Sequence, residues 1–292
     1  MDCLVDGRKV YAGTGGTPFD ASKPAIVFIH GAGLDHTCWQ LQSRWFAWHG
    51  WSVLAVDLPG HGRSDGPPLE SVSALSDWVL ALLGSAGLAR ASLVGHSMGA
   101  VIALETAARA PQRVDRLALL GISSAMPVHP ALLEAATSNP DRAYDMMTGW
   151  CFANSARIGG NSAPGLWMTG SARALLGRGR EGTLAADLAL CGAWSSAPKS
   201  AAAVLAPTIL VLGDSDVMTP ARKGQELAML ISDSTVVTLK GCGHMMMQER
   251  PDATLDALIG HFGGARATHA AAALAGSRPD SPASAGHSKK DA

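Results

Sequence analysis

A chain of 292 residues, 47% of them hydrophobic, has the apolar material for a substantial core, which excludes disorder throughout. Lys+Arg 23 against Asp+Glu 24 leaves a net charge of -1, so no global field would hold nucleic acid or an anionic membrane against it. Cys3, Cys38, Cys151, Cys191 and Cys242 form no Cys-x-x-Cys pair and read as free thiols of a reducing compartment.

In chain order, MDCLVDGRKVYAG places Asp2 and Asp6 where a secretory leader needs an apolar run, and it predicts an antiparallel hairpin at a sheet edge. Short strands are predicted in AIVFIHG (25–31), SVLAVDL (52–58), ASLVGHS (91–97), RLALLG (116–121), TILVLGD (208–214) and STVVTLK (234–240). Helical patterns lie near 38–49, 72–87, 98–110, 221–231 and 252–262. Apolar strands alternating with helices predict an α/β fold, an open and mostly parallel sheet flanked by helices.

Between about 123 and 205 the rhythm breaks into helical pieces separated by Pro127, Pro130, Pro140, Pro164 and Pro198. This stretch is predicted to be a helical cap inserted into a core formed by 1–122 and 206–264. Ala143, Tyr144, Met147, Trp150 and Cys151 share a helical face there, as do Leu184, Leu188 and Cys191. Such stripes either seat the insertion on the sheet or face a substrate. From Ala265 onward the chain has no aromatic or β-branched aliphatic residue, and a disordered tail is expected. No run approaches the roughly 18 apolar residues of a membrane span, so a cytoplasmic protein is expected.

In LVGHSMGA (93–100) a strand must turn sharply into a helix at Ser97, between Gly95 and Gly99. The turn would lift the hydroxyl above the carboxyl edge of the sheet, where open α/β sheets bind ligands. A serine needs a base, and the base an orienting acid. His244 in GCGHMMMQERPD follows the last predicted strand, and Asp214 and Asp216 in VLGDSDVMTP follow the strand before it, with Thr219 and Pro220 as N-cap and first residue of the next helix. No carboxylate follows RLALLG in ISSAMPVHP.

The motifs HGAG, DLPGHGRSD, GHSMGA, GDSDVMTP and GCGHMMMQERPD together resemble the α/β-hydrolase superfamily over about 20–264, apart from much of the insertion. The resemblance implies Ser97 as nucleophile and His244 as base. The family's spacing of glycine, acid and proline fits Gly213, Asp216 and Pro220, which selects Asp216 over Asp214. It also implies backbone N–H donors to an oxyanion at Met98 and Ala32. Serine at 97 sets the chain apart from resembling dehalogenases and epoxide hydrolases, which carry aspartate there.

A carboxylic-ester hydrolase without metal or organic cofactor is therefore expected, acting on a small ester with an apolar portion. Thioesterase, lactonase, C–C bond hydrolase and perhydrolase chemistry on the same residues are alternatives, as is a non-catalytic ligand-binding protein on this fold. Met146, Met147, Trp150, Trp167 and Trp194 are candidates for a substrate wall, with Met245 and His36 beside the catalytic loops. A dinucleotide reading of AIVFIHGAGLDH with Asp57 as the ribose acid lacks the third glycine, since position 36 is histidine. His30, His61 and His96 read as loop or packing residues.

Overall fold

The computed structural model describes residues 1–160 and 167–263. Pro164 and the expected disordered tail lie outside the described residues. Eight strands, β1 (Asp2–Val5), β2 (Arg8–Gly13), β3 (Ala25–Ile29), β4 (Ser52–Val56), β5 (Ala91–His96), β6 (Val114–Leu120), β7 (Thr208–Gly213) and β8 (Ser234–Leu239), make one sheet in the order β1-β2-β4-β3-β5-β6-β7-β8. The β1–β2 hairpin and the β2–β4 pair are antiparallel, whereas β4, β3 and β5 to β8 run parallel. Every residue of β3, β4, β5 and β7 is buried, as strands covered on both faces require.

Helices α1 (Gln40–Trp48), α2 (Val72–Ser85) and α3 (Met98–Arg109) connect the first strands. The segment expected to begin a helix near 38 opens instead with a 3-10 turn over His36–Trp39, because Asp35 accepts the Thr37 N–H and caps it there. Between β6 and β7 lie α4 (Pro130–Ser138), α5 (Pro140–Cys151), α6 (Asn154–Arg157), α7 (Met168–Gly177), α8 (Thr183–Ala193) and α9 (Ala197–Ala203), with no strand among the described residues of this insertion. The core resumes with α10 (Ala221–Ala228), α11 (Met246–Glu249) and α12 (Pro251–Phe262). Proline begins α4, α5 and α12, where its missing N–H leaves no helical bond unmade.

The chain leaves β3 to build β4 on one side and returns to build β5 on the other. Ile29 pairs in register with Gly95, so the loops that leave these two strands part company at the carboxyl edge and open a crevice between them. The helix that follows β5 presses into this point. A Cβ on Gly99 would overlap the Ile29 carbonyl and stand 2.6 Å from the His30 carbonyl, and one on Gly95 would overlap the Gly99 carbonyl. Both obstacles are backbone and cannot rotate away. Gly99→Ala is therefore expected to destabilise by about 3 kcal/mol, read as a lower urea midpoint. Gly149→Ala, in α5 where an added Cβ meets nothing within 4 Å, should shift it slightly upward.

Candidate active site

Ser97 sits between the last residue of β5 and the first of α3 with φ 52 and ψ -117, a conformation that ordinary side chains rarely adopt. Its N–H donates to the Leu120 carbonyl at 2.9 Å, and its own carbonyl accepts from Ala100 and Val101 at 2.9 and 3.1 Å. The strained residue is thus bonded on both sides, to β6 and to the first turn of α3. Met98 opens that turn, so its N–H precedes the intrahelical ladder. Across the crevice, a Cβ on Gly31 would reach 3.3 Å from the Ser97 Cβ, which shows how closely the loop after β3 approaches.

His244 follows β8 and Asp216 follows β7. His244 Nδ1 lies 2.8 Å from Asp216 Oδ2 and 3.2 Å from Thr219 Oγ1, and both ring and carboxylate are buried. Acceptors on this side place the ring proton on Nδ1 and leave the Nε2 lone pair free. Asp216 also accepts the Met218 and Thr219 N–H groups through Oδ1, at 2.8 and 2.9 Å, and the Thr219 hydroxyl through Oδ2 at 2.7 Å. Burial pushes its carboxyl pKa up, but the His244 charge and these donors outweigh burial and hold it below the usual value. Thr219 therefore serves the acid and not a helix: α10 starts at Ala221, with Pro220 at the N-cap. Asp214 is exposed and accepts from the Ser215 hydroxyl at 2.9 Å and, weakly, from the Cys242 N–H at 3.4 Å.

The backbone of His244 is fixed as firmly as its ring. Its N–H donates to the Cys151 carbonyl at 2.7 Å, and His96 Nε2 donates to its carbonyl at 2.9 Å. Burial and the nearby His244 bring the His96 imidazole down to about 3, so it holds that bond as a neutral ring. His30 likewise joins two loops, Nδ1 donating to the Gly31 carbonyl at 2.9 Å and Nε2 accepting the Leu58 N–H at 3.1 Å, and burial lowers it to about 4.

Ser97, His244, Ala32 and Met245 line one mostly apolar cavity of about 60 Å3, whose far wall includes Met126, Met147, Phe152 and Leu188. Of the residues expected in that wall, Met147 and Met245 are there. Met146 lies next to the buried Ala143–Met147–Cys151 stripe of α5 but off it, half-buried against the core. Trp150 stacks obliquely on His129 over a different depression. Trp167 is 73% exposed, its indole folded over Gly170 of its own helix, and Trp194 is buried away from the cavity. Trp150 is turned elsewhere by its phase in α5, while Trp167 and Trp194 are the cap residues that flank α7 and α8 and lie off the cavity.

His36 faces a second, more polar cavity of about 330 Å3, with Nδ1 2.8 Å from Asp57 Oδ1. Asp57 accepts the His36 and Arg63 N–H groups as well, at 2.8 and 2.9 Å, which makes it the organiser of its own loop and accounts for it without a ribose. Asp35, His36 and Asp57 bring metal-type ligand atoms within 4.8 Å of one another, but Asp35 is already engaged by Thr37 and by Arg178 at 2.6 Å.

Two features escaped the sequence reading. His61 holds its own turn, as expected, with Nδ1 3.0 Å from the Pro59 carbonyl, but its Nε2 also lies 2.8 Å from Asp187 Oδ2 in α8. Asp187 is 3% exposed and accepts the Gly33 N–H at 2.8 Å. A lone carboxylate in the apolar run LAADLALC was the available signal, since such a group is buried only with a partner. The second feature is the Cys151 carbonyl, a backbone contact with no signature in side chains.

The model of the alpha/beta hydrolase family matches residues 26–258. A (E)-2-((N-methylformamido)methylene)succinate hydrolase from Acinetobacter baylyi is 32% identical over 96 residues, 32% of this chain and 36% of that protein. The matched stretch spans less than half the length of the curated relatives it resembles. Among solved structures, the enol-lactonase from Burkholderia xenovorans superposes with a TM-score of 0.80 at 23% identity, covering 89% of this chain and 99% of that one. A thermophilic esterase superposes with a TM-score of 0.72 at 26% identity, covering 88% and 94%.

Proposed function

The chain belongs to the alpha/beta hydrolase family, and from that premise we propose that it is a serine hydrolase of small carboxylic esters that works through an acyl-enzyme. The observation that carries this reading is the buried His244–Asp216 pair, 2.8 Å apart, whose histidine lines the same apolar cavity as the strained Ser97. Ser97 Oγ attacks the ester carbonyl while His244 Nε2 takes its proton, and Asp216 supports the resulting imidazolium. The oxyanion is received by the Met98 N–H at the start of α3 and the Ala32 N–H of the loop after β3. His244 then protonates the leaving alcohol, and a water deprotonated by the same ring releases the acid.

A cavity of about 60 Å3 has room for roughly four to six waters at 10–15 Å3 each, which suits an acyl group of a few carbons. Turnover of p-nitrophenyl acetate and butyrate is accordingly expected to exceed that of the octanoate at least about tenfold in kcat/KM. The test is that ester series run beside thioesters and lactones, with labelling of Ser97 by a fluorophosphonate as a probe independent of substrate. A thioester or lactone turned over in preference to every ester would move the substrate class while keeping the same residues. A protein that turns over none of them and is not labelled, yet is stabilised by a small molecule, would be a binding protein on this fold.

A further inference from the structure

We propose that Asp187, carried by the insertion, is a positioning residue for the oxyanion site: it holds Gly33, and through it the Ala32 N–H, only while paired with a protonated His61. This inference rests on the serine-hydrolase reading. The Gly33 N–H belongs to the peptide that joins it to Ala32, one residue on from the peptide that carries the Ala32 N–H, so a bond that fixes the first restrains the loop from which the second projects. One oxygen, Asp187 Oδ2, accepts both the Gly33 N–H at 2.8 Å and His61 Nε2 at 2.8 Å. The insertion closes on this loop from two other sides. A Cβ on Gly33 would stand 2.8 Å from Leu176 of α7 and 3.0 Å from Leu184 of α8.

The geometry also assigns the charge state of His61. Its two ring nitrogens face two acceptors, the Pro59 carbonyl at 3.0 Å and Asp187 Oδ2 at 2.8 Å, and only an imidazolium donates to both. The ionisable groups around it include His30, whose ring centroid lies 4.8 Å away and which burial keeps neutral, Asp57, tied to His36, and three arginines that line the same polar cavity, Arg63, Arg178, paired with Asp35, and Arg180, bonded to the Ser64 and Gly66 carbonyls. Burial pulls the His61 pKa down, but the charge and hydrogen bond of Asp187 outweigh it and leave it above the ordinary value. A raised imidazole favours the paired state at low pH, and the pairing is lost as pH rises through the folded-state pKa. Above that pH an uncharged His61 leaves Asp187 as an uncompensated buried carboxylate, and α8 has reason to withdraw from Gly33.

The test compares wild type, Asp187→Asn and His61→Gln by the rate of Ser97 labelling with a fluorophosphonate and by kcat and KM on p-nitrophenyl butyrate. In labelling, Ser97 Oγ displaces fluoride at phosphorus, His244 takes the proton, and the phosphoryl oxygen occupies the oxyanion position, so the rate reports that position without any natural substrate. Asp187→Asn is expected to slow labelling and kcat together by about ten- to a hundredfold, with KM within about threefold, because a displaced donor weakens the transition state and not the ground state. In wild type both rates should fall as pH rises above the ordinary imidazole range, and His61→Gln should remove that alkaline fall. A folded Asp187→Asn protein labelled at the wild-type rate, or one in which KM alone rises, would reduce Asp187 to a strut and overturn the proposal. Should Asp187→Asn fail to fold, a wild-type labelling rate flat across alkaline pH, or an alkaline fall unchanged in His61→Gln, overturns it equally. Wild-type protein that is neither labelled nor active defeats the hydrolase reading itself, a result distinct from all of these.

Discussion

With Ser97 replaced by alanine, kcat on p-nitrophenyl butyrate is expected to fall about a millionfold, to the rate of the surrounding water and dipoles alone. No other hydroxyl among the cavity-lining residues takes its place: Thr148 donates to carbonyls of its own helix, and Thr219 to Asp216. The fold should not register the change. Alanine takes over the same φ of 52 and ψ of -117 with no larger Cβ, and the bonds to Leu120, Ala100 and Val101 are all made by backbone. Ester affinity should persist, because the apolar walls remain. Activity in Ser97→Ala within tenfold of wild type, measured on protein free of contaminating esterase, would dismiss the serine as nucleophile.

Asp216→Asn is expected to lower kcat by about ten thousandfold, against less than about threefold for Asp214→Asn. An asparagine at 216 must keep its carbonyl toward the Met218 and Thr219 N–H groups, which turns its amide N–H toward His244 Nδ1. The ring then answers with the other tautomer, protonated on Nε2, and no longer presents a lone pair to Ser97. At 214 the side chain is exposed and its partners, Ser215 and Cys242, lie outside the cavity. The same substitution should flatten the acid side of the stability profile. A carboxyl held below its usual pKa stabilises the fold above the unfolded value and loses that contribution as pH falls through the folded one. Steady-state kinetics of the two variants, with urea melts at several pH values, check both statements; a larger loss at Asp214 would overturn the assignment of the acid.

Much of the architecture was legible because the physics that builds it is local. Strands buried on both faces must be largely apolar, and β3, β4, β5 and β7 hold only Ser52, Ser92, His96 and Thr208 as polar residues. The turn at Ser97 could be read because backbone crowding at Gly95 and Gly99 forbids any side chain, so the pattern in the sequence is a direct imprint of the contact. The spacing from Gly213 to Pro220 singled out Asp216, and Asp216 is the acid found against His244. The insertion resisted for the converse reason. Which turn of α5 meets the cavity depends on how the helix is seated, and one residue, or about 100° of rotation, separates Met147 inside from Met146 outside. His61 and Asp187 are 126 residues apart, and nothing in either neighbourhood specifies the other.

The Cys151 carbonyl accepts the N–H groups of both His244 and Met245, at 2.7 and 3.2 Å, and Glu249 accepts those of Ala153 and Gly243, at 2.9 and 3.1 Å. The end of α5 and the histidine loop are thus stitched by three bonds that involve no substrate-facing atom, and the fourth, from Gly243 to Glu249, braces the loop itself. For anyone recombining such proteins this sets where the seam can fall. A chimera that exchanges α4 to α9 wholesale would replace the acceptor on which the histidine loop rests, whereas one that retains Cys151 to Ala153 and exchanges only flanking helices would keep that loop seated. Modularity in this chain is interrupted at Cys151–Ala153, between α5 and α6, where the segment between β6 and β7 carries the histidine loop.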